Sequence, residues 1–403
     1  MSPIWLSLVR PLPMIVGGTL VLGLASASAA EGTRLIGTGP TQVGTAGAGV
    51  ASPQNSSWLS LNPAGLVEVS SRVDTSLDII NGRVSVTPQG LAGNTADGTS
   101  DDSVVVFAPA VTWVKSGDGE AFAFGFYTLS GLAMELPHSR SALGAATTPE
   151  FDTNSEQRVM ATSLAYARTI ARGLSLALAA NLIYADFHSN SLTLGGTETA
   201  GSNDLDRSLG GGFSLSLYQR WEQLSLGANY TSRQWMQTWD KYRDLFAGTP
   251  DQPPVLQLGL AWRPLPWLEP LLDYRWINWS SVATFGAEIA DQGLGWRDQH
   301  ILKLACNAHV REDLVLRAGV SYGRSPISES VAFANGLSVL TTEWHATLGL
   351  GWQFDKTWDV QVAYLHGFKN EVTDNGGDAG GFAEGTRISL AVDALVVGVG
   401  WKY

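Results

Sequence analysis

The chain has 403 residues, of which only 15% are charged, with 45 Gly, 15 Trp and a formal net charge of −12. Soluble domains usually carry about 25% charge, so this composition argues against an ordinary soluble surface, and the acidic balance without any Lys/Arg run argues against a nucleic-acid partner. Cys306 is the single cysteine, which excludes an intrachain disulfide and a cysteine metal cluster.

Residues 1–30 read as a secretory leader. Arg10 is its only positive side chain, MIVGGTLVLGLA is its apolar core, and the small residues SASAA place cleavage after Ala30. Loss of Arg10 leaves 24 of the 25 basic groups against 37 acidic ones, or −13, on a chain that starts near Glu31 outside the cytoplasm. No later stretch approaches the roughly 20 apolar residues of a membrane helix.

Residues 31–70 form a Gly/Ala/Ser-rich segment without strand alternation, ending in NSSWLSLNPAGL. Gly37, Gly39, Pro40, Gly44, Gly47 and Gly49 permit a compact, irregular backbone. Pro63 keeps Asn62 out of the α region and removes a donor, and the Asn62 side chain can bond nearby backbone, so Asn-Pro-Ala makes a fixed corner.

From about Ser71 the apolar pattern has period two, the signature of half-buried strands. In WHATLGLGWQF, Trp344, Ala346, Leu348, Leu350, Trp352 and Phe354 share one face and His345, Thr347, Gly349, Gly351 and Gln353 the other. The same reading gives fourteen segments, centred near 78, 108, 127, 164, 181, 214, 229, 259, 274, 305, 318, 349, 363 and 395. Short turns (KSGDGE, TIARG, QRWEQ, RPLPWLE, VREDL, FDKTW) alternate with longer polar loops near 90–101, 136–156, 189–206, 236–253, 281–297, 324–342 and 370–385. That two-beat rhythm is expected of an antiparallel transmembrane β-barrel with short periplasmic turns and long external loops. Trp262, Trp267, Trp276, Trp279, Trp344, Trp352, Trp358 and Trp401 fall at strand ends, where interfacial girdles belong. Ile388, Leu390 and Val392 set the last strand's apolar face on even numbers and residues 395–403 set it on odd ones, which predicts a bulge near Asp393.

A lumen of fourteen strands is too wide for its own side chains to fill, so residues 31–70 are the expected plug and 71–403 the barrel. The segment GTGPTQVGTAGAGVASPQNSSWLSLNPAGL resembles the hatch of the long-chain fatty-acid transporter family (FadL/TodX), in which a Gly/Ala-rich plug ends in Asn-Pro-Ala. The resemblance continues through AYARTIARGLSLALAANLIYADF, YRWINWSS, LRAGVSYGRSPI and VQVAYLHGF, and so spans the mature chain.

It implies a monomeric barrel in outer-membrane lipid and lipopolysaccharide, inserted by the barrel-assembly machinery. It also implies passive uptake of hydrophobic small molecules (fatty acids or hydrocarbons) through an interior pocket and a sideways opening at a kink in the third strand. Asn62, Pro63 and Ala64 then form the hatch motif. In FAFGFYTLSGLAMEL, Gly131 matches the kink position, with Thr128 beside it. The loop around 189–206 is much shorter than the outer-groove loop of the fatty-acid members, which leaves aromatic hydrocarbons and alkanes open as cargo. In QTWDKYRDLFAGTPDQPP, Trp239, Tyr242, Leu245 and Phe246 are expected to form a short amphipathic helix of outer-loop apolar contacts.

Alternation turns Arg233, Arg263, Asp273, Arg275, Lys303, Arg317, Asp359 and Lys369 inward. Such groups usually pair with one another and with a plug. Lys303 and Arg317, on neighbouring strands, are the candidates for holding a substrate carboxylate. No Gly-x-Ser-x-Gly elbow, phosphate loop or metal-ligand spacing appears, so no enzyme activity, cofactor or metal is expected. Cys306 shares the apolar face of Leu302 and Leu304 and should face lipid. The competing reading is a polar-solute porin or structural barrel with residues 31–70 as a periplasmic tail.

Overall fold

A computed structural model describes residues 31–87, 100–136, 153–189, 205–243, 246–336, 338–377 and 384–403. The leader, Leu245 and much of the loops near 90–101, 136–156, 189–206 and 370–385 lie outside the described residues.

Period-two alternation becomes strand wherever it was read. The strands are β1 (Arg72–Thr87), β2 (Ser100–Gly117), β3 (Glu120–Leu136), β4 (Thr153–Ala171), β5 (Leu174–Ser189), β6 (Asp206–Arg220), β7 (Leu224–Thr231), β8 (Trp235–Met236), β9 (Val255–Trp262), β10 (Leu268–Ile277), β11 (Gln299–Arg311), β12 (Leu314–Gly323), β13 (Trp344–Gln353), β14 (Trp358–Thr373) and β15 (Arg387–Lys402). The two-residue β8 resumes the stave of β7 on β6 after a break at Ser232–Gln234. Each of the fourteen staves pairs antiparallel with the next, and β1 pairs with β15, so the sheet closes and has no free rim strand. Asp118 (φ 53°) and Gly119 (φ 77°) turn β2 into β3 as a two-residue connection, which requires left-handed backbone at both positions.

Outward positions carry the apolar side chains that a soluble protein would hide, among them Leu164 (59% exposed), Leu182 (58%) and Leu348 (64%). Such a continuous belt belongs in lipid. Trp262, Trp267, Trp352, Trp358 and Trp401 are exposed at the short-turn end, as expected of a girdle. Trp279 is not part of it. It follows β10 inside the mouth, fully buried against Phe285 and Trp296.

None of residues 31–67 is exposed. They fold into a short helix α1 (Gly39–Val43) and two 3-10 turns, Ser56–Leu59 and Pro63–Glu68, inside the cylinder. Asn55 and Asn62 cap the two turns, accepting from the amides of Ser57 and Ala64, and Pro63 occupies the first-turn position where no donor is needed. Room for this hatch comes from small lumenal side chains. Ala121, Ala123, Ala165, Ala167, Ala177 and Ala179 pack against Trp58, Leu59, Leu61 and Leu66. Outward neighbours on the same strands are large, for example Phe122, Phe124, Tyr166 and Leu178.

The lumen changes character with height. Near the short turns the alanine face of β3–β5 is joined by polar side chains from β1 and β10–β14; toward the long loops Val84, Val86, Val104, Val106, Ile388, Leu390 and Val392 line the lumen and pack with Val331, Val339 and Leu340 of the β12–β13 loop. This corrects the expected bulge at Asp393. β15 pairs with β1 without interruption from Arg387 to Lys402, and its even residues face inward throughout. The apparent change of phase arises because the inner face itself turns apolar. The irregularity lies opposite, in β14 between Gly367 and Asn370. Lys369 sits in that bulge and is exposed, contrary to its expected inward placement.

Candidate functional site

The lower lumen is a set of polar anchors for the hatch. Asp273 Oδ2 accepts from the amides of Gly49 (2.7 Å) and Val50 (2.9 Å). Glu269 accepts from Ser52 Oγ at 2.7 Å and Asp74 from Ser56 Oγ at 2.5 Å. Asn62 Nδ2 donates to Val50 O (2.7 Å) and to Leu217 O of β6 (3.1 Å), tying the Asn-Pro-Ala corner to both plug and wall. At Gly227 a Cβ would strike Val50 O and Asn62 Nδ2, so the wall itself must lack a side chain there.

At the hatch's start, Glu31 binds Arg275 and places Oε1 2.5 Å from Lys303 Nζ. All three side chains are nearly inaccessible, so each charge depends on the others. Arg317 reaches Gln54 of the hatch (2.7 Å) and Gln361 (3.0 Å). Lys303 and Arg317 are thus both brought to the hatch rather than to each other. Arg263 pairs with Glu269 (2.7 Å) and Asp359 with Arg72 (2.8 Å). Arg233 contacts Ser281 O and lies 3.8 Å from Asp251.

The wall opens on one side. β2 and β3 pair from Gly117↔Glu120 only as far as Ala110↔Tyr127. Beyond that, β2 continues on β1 alone and β3 on β4 alone. The break has two local causes. Pro109, the first β2 residue past the last pair, has no N–H to donate. On β3 the register with β4 shifts between Thr128 and Ser130, which leaves Leu129 as the extra residue. Thr128 therefore borders the irregularity, and Gly131 lies two residues past Leu129.

The hatch occupies the vacated edge. Leu35 N donates to Leu129 O (3.2 Å), Gly131 N donates to Thr33 O (2.9 Å), and Arg34 bridges Ser130. Thr33–Leu35 thus stands where β2 would continue.

Above the hatch is a cavity of about 100 Å³, bounded below by Thr33 and at the side by Leu132 of β3. Two aromatic groups meet across it. Phe187 stacks on Trp239 (4.9 Å between centroids) and meets Phe246 edge-on (5.5 Å), while Phe285 stacks on Trp296 (4.9 Å). Tyr242 packs edge-on against Phe187 and its hydroxyl accepts from the Ser189 amide. Trp239, Tyr242 and Phe246 therefore come together, although only Asp240–Tyr242 is helical, as a single 3-10 turn. Phe187, Phe285, Trp296 and Pro109 were not singled out from the sequence. Pro109, a proline within VVVFAPAVTW, was the one readable signal, since strand prolines mark edges. The described lining of the chamber is apolar and aromatic surface with a few neutral polar groups.

Residues 21–403 match the family described as "Outer membrane protein transport protein (OMPP1/FadL/TodX)". The chain belongs to that family and is an outer-membrane transport barrel. No match is found among curated proteins. Among solved structures, the Pseudomonas putida toluene transporter TodX superposes with a TM-score of 0.70 at 16% identity, covering 91% of this chain and 99% of that one. A Pseudomonas aeruginosa FadL homologue gives 0.67 at 14% identity, covering 92% and 99%. The Ralstonia pickettii toluene transporter TbuX gives 0.66 at 14%, covering 91% and 99%. At these identities the likeness is one of fold.

Proposed function

We propose that this barrel takes up small hydrophobic compounds passively, with compact aromatic hydrocarbons favoured over long fatty acids, and releases them sideways through the gap between β2 and β3. The observation that carries the reading is the junction of three features: an aromatic chamber, a hatch beneath it, and a wall break beside it. A chamber of about 100 Å³ is of the order of the ~150 Å³ apolar cavity known to admit benzene. The TodX and TbuX structures are described as toluene transporters, in keeping with that size. Cargo is driven by partition, at about 25 cal/mol per Å² of apolar surface leaving water.

The hatch blocks the straight route, which would leak water and ions. Among the described residues the lateral route is closed by Thr33–Leu35, held by two backbone hydrogen bonds, and by the Thr128 hydroxyl donating to Pro109 O at 3.3 Å. At about 0.5–1.5 kcal/mol each, they are weak enough for a bound solute to displace. Gly131 lends its amide to that seal, and Thr128 borders the bulge that creates it. Asn62, Pro63 and Ala64 keep the rest of the hatch docked while its first residues move. Lys303 and Arg317 serve as hatch anchors in this reading, and become carboxylate receptors only after Glu31 or Gln54 withdraws. The protein works as a monomer in outer-membrane lipid and lipopolysaccharide after insertion by the barrel-assembly machinery, without cofactor or catalytic step.

The test is toluene uptake into proteoliposomes together with planar-bilayer recordings. Toluene uptake without a steady ionic current is expected of the intact chain. A large resting current in the intact chain would instead favour the polar-solute porin.

A further inference from the structure

The lumenal carboxylates of the lower barrel are all engaged: Asp74 and Asp359 by Arg72, Glu269 by Arg263 and Ser52, Asp273 by two hatch amides. Asp78 on β1 is different. It faces inward with the same parity as Arg72, Asp74 and Ile80 and is 4% exposed. No described residue donates a hydrogen bond to its carboxylate or pairs with its charge. Register sets it opposite Val396 on β15 and Ala108 on β2, with Ile80 above it on the same face. A carboxylate among methyl groups is costly, and no described residue repays it.

Its position is informative. Ser76, the next lumenal residue below, faces Gly39 at the start of α1, so Asp78 lies just above the hatch. Its partner Ala108 is the first lumenal residue of β2 beyond the last β2–β3 pair at Ala110. The carboxylate therefore stands beside the wall gap, at the height where the gap begins.

We infer that Asp78 receives the hydrogen-bond-donating head, a hydroxyl or an ammonium, of an otherwise apolar substrate as it approaches the lateral opening. The inference rests on the uptake reading above and narrows its substrate class. An alcohol, phenol or amine on an aromatic body satisfies the carboxylate, a plain hydrocarbon does not, and a carboxylate head is repelled.

The experiment measures dissociation constants of the full chain in lipid nanodiscs for four probes of one size: toluene, p-cresol, benzylamine and benzoate. Expected is binding of p-cresol or benzylamine about tenfold tighter than toluene, with benzoate weakest. Asp78→Leu should abolish that advantage while leaving toluene binding and the folded-barrel electrophoretic shift intact. Asp78→Asn separates the two heads, since it retains a hydroxyl donor and loses an ammonium. Equal binding of toluene and both donors by the intact chain overturns the role of Asp78 and leaves the hydrophobic channel standing, as does an undiminished donor advantage in Asp78→Leu. Failure of toluene itself to bind overturns both.

Discussion

The lower and upper halves of the lumen are built from the same staves but solve opposite problems. Below, polar groups hold the hatch: Asp273 accepts from the Gly49 and Val50 amides, Glu269 from the Ser52 hydroxyl, and Asn62 donates to the carbonyls of Val50 and Leu217. Above, valines, leucines and aromatic rings face one another around a small cavity. An irregular plug has many unpaired backbone groups that must be satisfied, so its berth carries polar anchors beside the alanine face. A chamber for apolar solutes needs the reverse, and the β2–β3 break lies in that half. In the proposed reading, one closed sheet carries both a sealed floor and an apolar exit because its inner face changes character with height.

The strongest challenge to this division is removal of residues 31–61. If the lower half is the seal, planar bilayers containing the deletion should change from no steady current to an ohmic one. An unchanged current would mean that the upper loops alone close the barrel.

Next is Glu31→Gln, which strands Lys303 and Arg275 as buried cations. Breaking a buried pair costs about 3–5 kcal/mol. The expected result is faster amide exchange at Thr33–Leu35 and intermittent channel openings, with the barrel still folded.

Asn62→Ala removes two donor contacts and the cap of the second 3-10 turn, and should loosen the hatch by about 1–3 kcal/mol. Proteolysis of the hatch at graded temperature reads this effect, and toluene affinity should be unchanged. Phe187→Ala probes the upper half instead. Loss of the ring stacked on Trp239 should weaken toluene binding about tenfold without raising ionic leak. Cys306→Ala, on the lipid side, should change thermal stability by less than about 0.5 kcal/mol; a larger loss would place Cys306 in the packed interior.

All fourteen staves were legible as alternation, since a strand held between lipid and lumen must write that difference every second residue. The hatch was legible by composition, because only Gly-rich, small-residue sequence condenses without strand or long helix. The alanines of β3–β5 were visible too, but their purpose was not: AFAFG and LSLALAA show a small inner face without saying that Trp58 and Leu61 fill it. Ile388, Leu390 and Val392 misled for a related reason. Alternation gives the side of the sheet a residue faces, while the height at which that side turns from polar to apolar depends on neighbouring staves.

Sequence alone thus determined the closed antiparallel sheet, its inside and outside, and the presence of a plug, all of which follow from local periodicity and backbone freedom. Tertiary structure alone decided where β2 and β3 part, that Thr33–Leu35 fills the space, that Trp279 turns inward with Phe285 and Trp296, and that Asp78 has no partner among the described residues. Those outcomes depend on register and on contacts between residues tens to hundreds of positions apart, which no local pattern encodes.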